Sequence, residues 1–250
     1  WVRFCEEVRD LLPLSEACNS SHPGHQNPYD FSLALSERCR PDDIFMPCSS
    51  GGAETVQMQA FQQKAGQTVV NDKSLASMGY GLSGAIGAAI AGNGRRTVLT
   101  EGDGGFSQNL QELAIVAVRN LPIKIFLHAN EGYASIRMTQ RNYFGGDYLG
   151  CDTSTGLGFR DWAKLFDAYG IPVLELGDNG LDDPAFGALF DAPGPAAFIV
   201  NVHPEQTYLP KISSRVLPDG GMESNPLHLM SPDLDPEVAA RVHRHLPPND

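Results

Sequence analysis

Apolar runs of strand length alternate along this chain with stretches in which apolar residues recur at helical spacing. The strand-length runs are almost continuously apolar, which is typical of strands buried on both faces of a parallel sheet. We therefore predict an α/β fold, doubly wound, with a mainly parallel sheet and helices on both faces. The predicted strands span residues 43–47, 68–70, 97–100, 123–127, 172–176 and 197–202.

Helical patterns lie before and between these strands. Asn27 followed by Pro28 indicates a helix start, because an Asn side chain caps free N–H groups and proline has a φ suited to the first turn. We expect this helix to continue to about Cys39. The other predicted helices span residues 55–63, 79–91, 109–119, 159–169, 182–190 and 236–245.

The two ends of the chain differ in pattern from its middle. Residues 1–27 predict a short helix followed by the connector SHPGHQNP, and residues 204–250 lose the strand–helix alternation and gain Pro and Gly. We therefore predict a linker with an N-terminal helix (1–27), an α/β domain (28–203), and a C-terminal arm with a helix (204–250). Because the chain begins at Trp1 without an initiator Met, we expect a processed chain or a piece of a longer one.

Charge, hydropathy and cysteine content exclude several classes of partner. A formal net charge of −12 opposes binding to a polyanion, so we expect no nucleic-acid partner. Since the apolar stretches are much shorter than the roughly 20 residues of a membrane helix, we expect no membrane partner either. The five cysteines are widely spaced, without a CxxC pair or zinc-type spacing, and suggest buried free thiols in a reducing cytoplasm.

Two predicted strands end in residues suited to phosphate and metal binding. The third is followed by Asp103, Gly104 and Gly105, and the fourth is followed by Asn130. The glycines let phosphate oxygens approach backbone N–H groups closely, and the next helix directs its positive end the same way. Ligands of open α/β sheets bind beyond the carboxyl ends of the strands. If these two strands are neighbours, Asp103 and Asn130 converge.

The converging groups would suit a magnesium ion. The Asp103 carboxylate, the Asn130 amide oxygen and the backbone carbonyl of Gly132 are three hard oxygen ligands. Two diphosphate oxygens and one water would complete the octahedron that Mg²⁺ prefers. Alternatively, Asp103 and Asn130 are loop residues that form turn hydrogen bonds, which explains either residue alone better than the pair.

At this point the sequence resembles a known family. The segments GDG and NEGY (residues 130–133) are similar to the fingerprint of thiamine-diphosphate-dependent enzymes, and residues 78–146 resemble acetolactate synthase and its relatives. The resemblance extends over about residues 43–202 and implies the diphosphate-binding (PP) domain, with thiamine diphosphate and Mg²⁺ as cofactors. Ala129 departs from the pattern, since many relatives carry an additional asparagine there, but that asparagine is not usually the metal ligand.

The resemblance also implies how the cofactor is bent. Met78 matches the bulky apolar residue that pushes between the two rings of the cofactor, and the Ala76 carbonyl would accept from the 4′-amino group. The bent shape brings that nitrogen near the thiazolium C2 proton that it removes, and such proximity lowers a barrier. Core filling, which methionine does well, is the alternative for Met78.

Further residues are implied to contact the cofactor. The loop CSSGGAET, after the first predicted strand, offers backbone N–H groups to the diphosphate, and the Ser135 N–H faces the same group. The stretch RMTQRNYFGGDYLG resembles a mobile segment that closes over the site in relatives, with an ordinary glycine-containing loop as the alternative. Apart from Ala76 and Met78, the residues expected to bind the cofactor are Gly51, Gly52, Ala53, Gly104, Gly105, Tyr133 and Ser135.

By resemblance, the activity would be decarboxylation of a 2-oxo acid such as pyruvate and transfer of the acyl carbanion unit. The family places the activating glutamate, which contacts the pyrimidine N1′, in a separate pyrimidine-binding domain, and no such domain fits beside this one in 250 residues. We therefore expect no catalytic residue in this chain, a pyrimidine-binding domain or subunit as partner, and a dimer or higher oligomer. Relatives usually offer Gln and His in the CSSGGAET loop, and no such pair can be placed here.

Two other functions fit parts of the sequence. Gly79, Gly81 and Gly84 satisfy GxGxxG, with acidic Glu101 and Asp103 about 20 residues further on, as in a NAD-dependent oxidoreductase. That fingerprint begins directly after a strand, whereas NDKSLASM intervenes here, so we interpret the glycines as allowing close helix packing. The other alternative is a non-catalytic binding protein with the thiamine-diphosphate fold, against which the complete set of predicted metal ligands argues.

Overall fold

The computed structural model describes residues 1–158, 161–177 and 180–246. The chain forms two compact units, Ser20–Gln206 and a second unit composed of Trp1–Asn19 and Thr207–Asp250. Within the described residues, none of the helices combines the length and the apolarity needed to cross a bilayer. The functional division at residues 28 and 203 stays a prediction.

The larger unit is built on a six-stranded sheet in the order β2-β1-β3-β4-β6-β5, with every neighbouring pair parallel. The predicted doubly wound α/β class is confirmed, and each predicted strand is found within about two residues of its bounds. The strands are β1 (Ile44–Pro47), β2 (Thr68–Val69), β3 (Thr97–Gly102), β4 (Ile123–Ala129), β5 (Val173–Leu176) and β6 (Ala196–Asn201).

Most helices also follow the sequence pattern. The Asn27 side chain accepts the N–H of Tyr29 at 2.9 Å, which is the predicted cap. The helix predicted to begin at position 159 starts in the structure at Trp162, and residues 159–160 lie outside the described ranges. The helices are α1 (Val2–Leu11), α2 (Pro28–Arg38), α3 (Thr55–Ala60), α4 (Tyr80–Ala91), α5 (Asp103–Phe106), α6 (Leu113–Val118), α7 (Ala134–Tyr143), α8 (Trp162–Ala168), α9 (Pro184–Asp191) and α10 (Pro236–Val242).

Two helices differ from the sequence-based expectation. The helix predicted over residues 109–119 begins instead as a 3₁₀ turn, Ser107–Glu112, because Asn109 adopts a non-helical φ of −136° before α6 continues. Helix α7 occupies part of the stretch RMTQRNYFGGDYLG, which we expected to be a mobile segment or a loop. This unforeseen helix borders the candidate site described below.

Helices cover both faces of the sheet and enclose two apolar cores. Helices α4, α6 and α8 cover one face, and α2 and α9 cover the other, where phenylalanines dominate. Gly81 and Gly84 let α4 approach the sheet, because a Cβ on either would lie 2.3 Å from the Glu101 carboxylate or the Met46 methyl group. Gly81 and Gly84 therefore have the packing role that the sequence predicted, whereas Gly79 precedes α4 with a φ of +86°.

The smaller unit contains α1, α10 and two small antiparallel sheets. Glu7 of α1 pairs with Arg244 at 2.7 Å and with Arg241 at 3.1 Å. The region predicted as a surface arm holds four strands of two or three residues each, too short for a periodic pattern to reveal. They pair as β7 (Lys211–Ile212) with β10 (Met230–Ser231), and β8 (Ser214–Val216) with β9 (Met222–Ser224).

Candidate functional site

The carboxyl edge of β1, β3 and β4 gathers the predicted site residues. The chain passes from β1 outward to β2 and then returns to β3 on the other side of β1, so the strand order switches direction there. Such a switch point is where open α/β sheets bind ligands. Strands β3 and β4 are neighbours, with Gly102 opposite His128, so the loops that follow them adjoin, as the predicted convergence requires.

Asp103 lies at the centre of this edge and is only 1% exposed. Its Oδ1 accepts the N–H of Gly104 at 2.8 Å, and its Oδ2 accepts the N–H groups of Asn130 and Gly132 at 3.1 and 3.3 Å. Burial raises the pKa of this carboxyl to about 7, although the backbone hydrogen bonds favour the ionised form. Among the described residues, no Lys, Arg or His side chain forms an ion pair with Asp103, so its charge is not neutralised by the protein.

The Asn130 side chain completes the predicted ligand set. One terminal atom of its amide lies 2.7 Å from the Gly132 carbonyl oxygen and 3.1 Å from Asp103 Oδ1. If that atom is nitrogen, it donates to both oxygens. If it is oxygen, three oxygens face one another, an arrangement that a cation between them would stabilise. The structure thus brings together the three groups that we predicted as metal ligands.

The chemistry of these donors fits Mg²⁺. Carboxylate, amide and carbonyl oxygens are hard ligands, whereas zinc and related metals are bound mainly by imidazole and thiolate. Throughout the described ranges, no group of three or more His, Cys, Asp or Glu side chains could hold a metal ion. Asp103 also lines a cavity of about 530 Å³, so a hydrated cation could reach the carboxylate.

The loop after β4, which carries the predicted ligands Asn130 and Gly132, has an unusual backbone conformation. Glu131 has φ +63° and Gly132 has φ +134°, a value that residues with side chains rarely adopt. A Cβ on Gly132 would lie 2.3 Å from the Cys151 carbonyl oxygen, which also accepts the N–H of Tyr133 at 2.9 Å. Position 132 therefore requires glycine. The segment around Cys151 packs against the loop and supports it through this hydrogen bond.

The loop after β1 and the beginning of α7 meet on the other side of the site. Ser50 Oγ and Ser135 Oγ are 2.7 Å apart. Ser135 lies in the first turn of α7, where backbone N–H groups lack helical partners and attract anions. The 3₁₀ turn Gly51–Ala53 adjoins them, with Gly52 and Ala53 buried. The Ala53 N–H already donates to the Ser50 carbonyl at 3.3 Å, so fewer N–H groups of this turn are free than we expected.

Gly104 and Gly105 also differ from the expectation that their N–H groups are free. The Gly104 N–H donates to Asp103, and this hydrogen bond favours the ionised carboxylate. A Cβ on Gly104 would lie 2.3 Å from the Tyr133 ring, and one on Gly105 would lie 2.3 Å from Ser49 Oγ. Both glycines therefore let neighbouring loops pack closely at the site, and their contact with a cofactor stays a prediction.

Met78 and Ala76 lie on an exposed loop before α4. Met78 is 48% exposed, which argues against core filling. Its sulfur lies 3.5 Å from Gln108 Nε2, which also donates to the Tyr133 hydroxyl at 3.2 Å. Ala76 has φ +49°, and within the described residues no backbone N–H donates to its carbonyl, which is therefore available to a ligand. Gln108, which the sequence analysis did not select, thus joins Met78 to Tyr133.

Glu101, which the sequence offered as a possible ribose ligand, is buried beneath α4. Its carboxyl accepts the N–H groups of Gly81 and Leu82, and burial raises its pKa to about 8. A side chain enclosed in this way cannot contact a ribose at the surface. Gly79 moreover precedes α4 without following a strand directly, since β2 ends at Val69. Both features oppose a dinucleotide site.

Arg137 is a second residue that the sequence analysis missed. It lies on α7, is buried, and donates to the Asn130 carbonyl at 2.9 Å. Its position one turn inside α7 could have been recognised only if the helix itself had been predicted.

A family model matches most of the α/β region of the chain. The family described as "Thiamine pyrophosphate enzyme, C-terminal TPP binding domain" matches residues 50–200, a range that contains Asp103, Asn130 and Gly132. The match covers more than half of the chain. The matched range includes the sheet edge at which the structure gathers the predicted ligands.

Curated relatives are plant acetolactate synthases. Acetolactate synthase 2 of Nicotiana tabacum, a chloroplastic protein, is 30% identical over 195 residues, which cover 76% of this chain and 29% of that protein. The probable acetolactate synthase 2 of Oryza sativa subsp. japonica, also chloroplastic, is 26% identical over 197 residues, covering 76% of this chain and 30% of that protein. The chain thus spans about 30% of the length of these relatives.

A solved structure shares the fold. The Rhodococcus jostii RHA1 thiamine diphosphate-dependent 4-hydroxybenzoylformate decarboxylase superposes with a TM-score of 0.65 at 20% identity, covering 77% of this chain and 35% of that chain. At this identity the likeness concerns the fold alone.

Proposed function

Because the chain belongs to the thiamine pyrophosphate enzymes through their C-terminal TPP-binding domain, we propose that it binds thiamine diphosphate with Mg²⁺ as the catalytic domain of an acetolactate-synthase-like enzyme. The observation that carries this proposal is the convergence of Asp103, Asn130 and the Gly132 carbonyl at the sheet's switch point. The enzyme would be a lyase or transferase that decarboxylates a 2-oxo acid such as pyruvate and transfers the acyl carbanion unit.

The three convergent oxygens would hold Mg²⁺. The metal would neutralise the buried Asp103 carboxylate, whose charge no described side chain balances, and would fix the diphosphate against the loop. In this arrangement the Asn130 amide presents its oxygen to the cation. In the absence of a cation the same amide would turn its nitrogen toward Asp103 and Gly132, since both can accept a hydrogen bond.

The diphosphate would lie between the loop after β1 and the beginning of α7. The hydroxyls of Ser50 and Ser135, 2.7 Å apart, mark where these two elements meet. The N–H of Ser135 and the positive end of the ten-residue α7 favour an anion there. Gly51 is the least buried residue of the adjoining turn and would also contact the diphosphate.

The remaining cofactor contacts would come from the loop before α4. Met78 would support the bent cofactor from an exposed position, held by Gln108, and the Ala76 carbonyl would accept from the 4′-amino group. When bound, the cofactor supplies a nucleophilic carbon and an electron sink for decarboxylation. The protein residues would hold this geometry.

Thermodynamic measurements on the full chain test this proposal. Isothermal titration calorimetry should detect thiamine diphosphate binding that depends on Mg²⁺, and NADH should give no comparable heat. Binding of NADH, or metal-independent binding of thiamine diphosphate, would contradict the proposed site. A non-catalytic binding protein, the remaining alternative, would bind the cofactor but would not consume pyruvate when a pyrimidine-binding partner is supplied.

The proposed partners are a pyrimidine-binding domain or subunit and a 2-oxo acid, in a dimer or higher oligomer. Apolar side chains on the loop before α4 support such an interface, since Leu75 is 82% exposed and Met78 is half exposed. We propose a cytoplasmic location for the protein. All five cysteines, each in the described ranges, are free, which suits a reducing compartment, whereas the plant relatives are named chloroplastic. Cys39, Cys48 and Cys151 are buried as predicted, but Cys5 and Cys18 are exposed, so the prediction of burial is wrong for these two.

A further inference from the structure

Arg137 connects the loop after β4, which carries Asn130 and Gly132, to two other segments. Its side chain is 5% exposed, and Nη2 donates to the backbone carbonyls of Asn130 at 2.9 Å and Pro204 at 3.0 Å. The guanidinium also lies 3.8 Å from the Asp152 carboxylate and 3.6 Å from that of Glu205. This one side chain of α7 thereby contacts the loop after β4 and the segment after β6. It also contacts Asp152, which forms an isolated β-bridge with Gly132.

The contact with Asn130 fixes a peptide group that determines where the ligands point. The Asn130 N–H donates to Asp103, and its carbonyl accepts from Arg137, so the backbone of this residue is held on both sides. Glu131 and Gly132 then turn through positive φ values and direct the Gly132 carbonyl toward the Asn130 amide. Without Arg137, the Asn130 carbonyl would lose a buried donor and the turn would lose one of its constraints.

The charge of Arg137 argues against a direct electrostatic benefit to a metal ion. A cation beside a divalent ion weakens binding unless its charge is offset, and here Asp152 and Glu205 offset it. Removing the charge alone would therefore leave metal affinity unchanged or raise it. A loss of affinity on removal would have to come from geometry.

We propose, on the basis of the proposed function, that Arg137 is a positioning residue that sets the Mg²⁺ affinity of the site by fixing the Asn130 carbonyl. It does not contact the metal. It holds the Asn130 amide and the Gly132 carbonyl in the orientation that binds the ion. Groups that orient metal ligands in this way typically change affinity by about 10- to 100-fold when they are removed.

Three variants of the full chain separate this role from charge and from stability. R137M removes the charge and the hydrogen bonds, R137K keeps the charge but loses the planar fork, and R141M is the matched control. Arg141 lies one turn further along α7, pairs with Glu205, and in the described structure has no hydrogen bond to Asn130. The probe is Mn²⁺, titrated with saturating thiamine diphosphate and followed by electron paramagnetic resonance.

We expect R137M and R137K to weaken Mn²⁺ binding by about 10-fold or more, and R141M to change it less than about twofold. Hydrogen exchange of the metal-free proteins should show faster exchange over residues 129–133 in both Arg137 variants. Unchanged or tighter Mn²⁺ binding in R137M, or full affinity in R137K, would overturn the inference. If R137M does not fold, R137K decides. If the wild-type chain binds no Mn²⁺ with the cofactor, the proposed function fails instead.

Discussion

The Asp103 carboxylate accepts the backbone N–H of Asn130 at 3.1 Å, so the residue after β3 is joined directly to the loop after β4. The two residues that we expect to bind the metal therefore depend on each other for position. The same carboxylate accepts the N–H of Gly132, whose carbonyl is the third expected ligand. Changes at Asp103 should accordingly affect the metal and the loop together.

We predict that Asp103→Asn abolishes Mg²⁺-dependent binding of thiamine diphosphate. The amide has the same shape but no charge, so the metal would lose its anionic protein ligand, and affinity should fall by more than about 10-fold. Asp183→Asn is the control, because Asp183 also accepts a backbone N–H, from Ala185 at 2.8 Å, but lies at the start of α9. Calorimetry with and without Mg²⁺ measures the effect, and unchanged affinity would exclude Asp103 as a ligand.

The stability of the metal-free protein should depend on the ionisation of Asp103. Burial raises its pKa from 3.8 to about 7, so the folded state holds the proton more tightly than the unfolded chain. Between these pKa values the folded state binds more protons, and its stability must therefore fall as pH rises. The loss attributable to this group is on the order of 4 kcal/mol once pH exceeds about 7.

Asp103→Asn isolates this contribution from those of the other buried groups. The difference in unfolding free energy, variant minus wild type, should increase between roughly pH 4 and pH 7 in metal-free buffer and then level off. Mg²⁺ with thiamine diphosphate should restore wild-type stability at high pH, because the cation favours the carboxylate. A difference that does not vary with pH would mean that Asp103 is ionised throughout.

Gly132→Ala should lower the metal affinity as well as the free energy of unfolding. The new Cβ would lie 2.3 Å from the Cys151 carbonyl oxygen, at φ +134°. Gly156→Ala is the matched control, since Gly156 has φ +99° and nothing lies within 4 Å of the position of its Cβ. Positive φ alone should cost about 1–2 kcal/mol in each variant, measured by urea unfolding. Only the Gly132 variant should also lose metal affinity, and equal effects would show that the close contact is unimportant.

The sequence predicted strands better than it predicted the surroundings of the site. Strands such as β4 are buried on both faces, so their continuous apolar runs are visible without knowledge of the fold. Helix α7 has no such signal. Within α7, all of which the structure describes, the one buried residue is Arg137, and Tyr133 provides no side-chain cap. A helix whose buried side chain is charged shows no apolar periodicity.

The burial of Asp103 could not be predicted either. Its place at a strand end and between glycines suggested an accessible loop, and only the adjacency of β3 and β4 encloses it. That adjacency depends on the sheet order, which the local pattern does not specify. The three expected ligands could be selected from residue type and strand-end position, whereas the contacts that Arg137 and Cys151 make with their loop depend on tertiary structure.

In an enzyme assembled with its pyrimidine-binding partner, Met78→Ala should slow turnover with little change in cofactor affinity. The diphosphate contacts would remain, but the bent form of the cofactor would be less populated. Met58→Ala is the control, because Met58 is similarly exposed, on α3, and was not predicted to contact the cofactor. Steady-state kinetics and cofactor titration give the two quantities. Equal turnover in wild type and Met78→Ala would mean that Met78 only packs against Gln108.

The 250-residue chain by itself should not decarboxylate pyruvate, even with saturating thiamine diphosphate and Mg²⁺. It spans about 30% of the length of the acetolactate synthases that it matches, and the family's activating glutamate would come from a pyrimidine-binding domain. The loop that would hold the pyrimidine is open to solvent, as the exposure of Leu75 and Met78 indicates, so the ring would remain in water and the C2 proton would leave slowly.

Addition of the matching pyrimidine-binding chain should restore pyruvate consumption, followed by a coupled assay or by release of carbon dioxide. A matched partner whose glutamate is replaced by glutamine should bind but fail to activate. The supplied glutamate would act by hydrogen bonding to the pyrimidine N1′, while Asp103 and Asn130 keep the diphosphate in place. Pyruvate consumption by the purified chain alone would contradict the assignment of the activating glutamate to the partner. It would then require a catalytic base within the chain, and the buried carboxyl groups of Glu54 and Glu101 would be the first residues to replace.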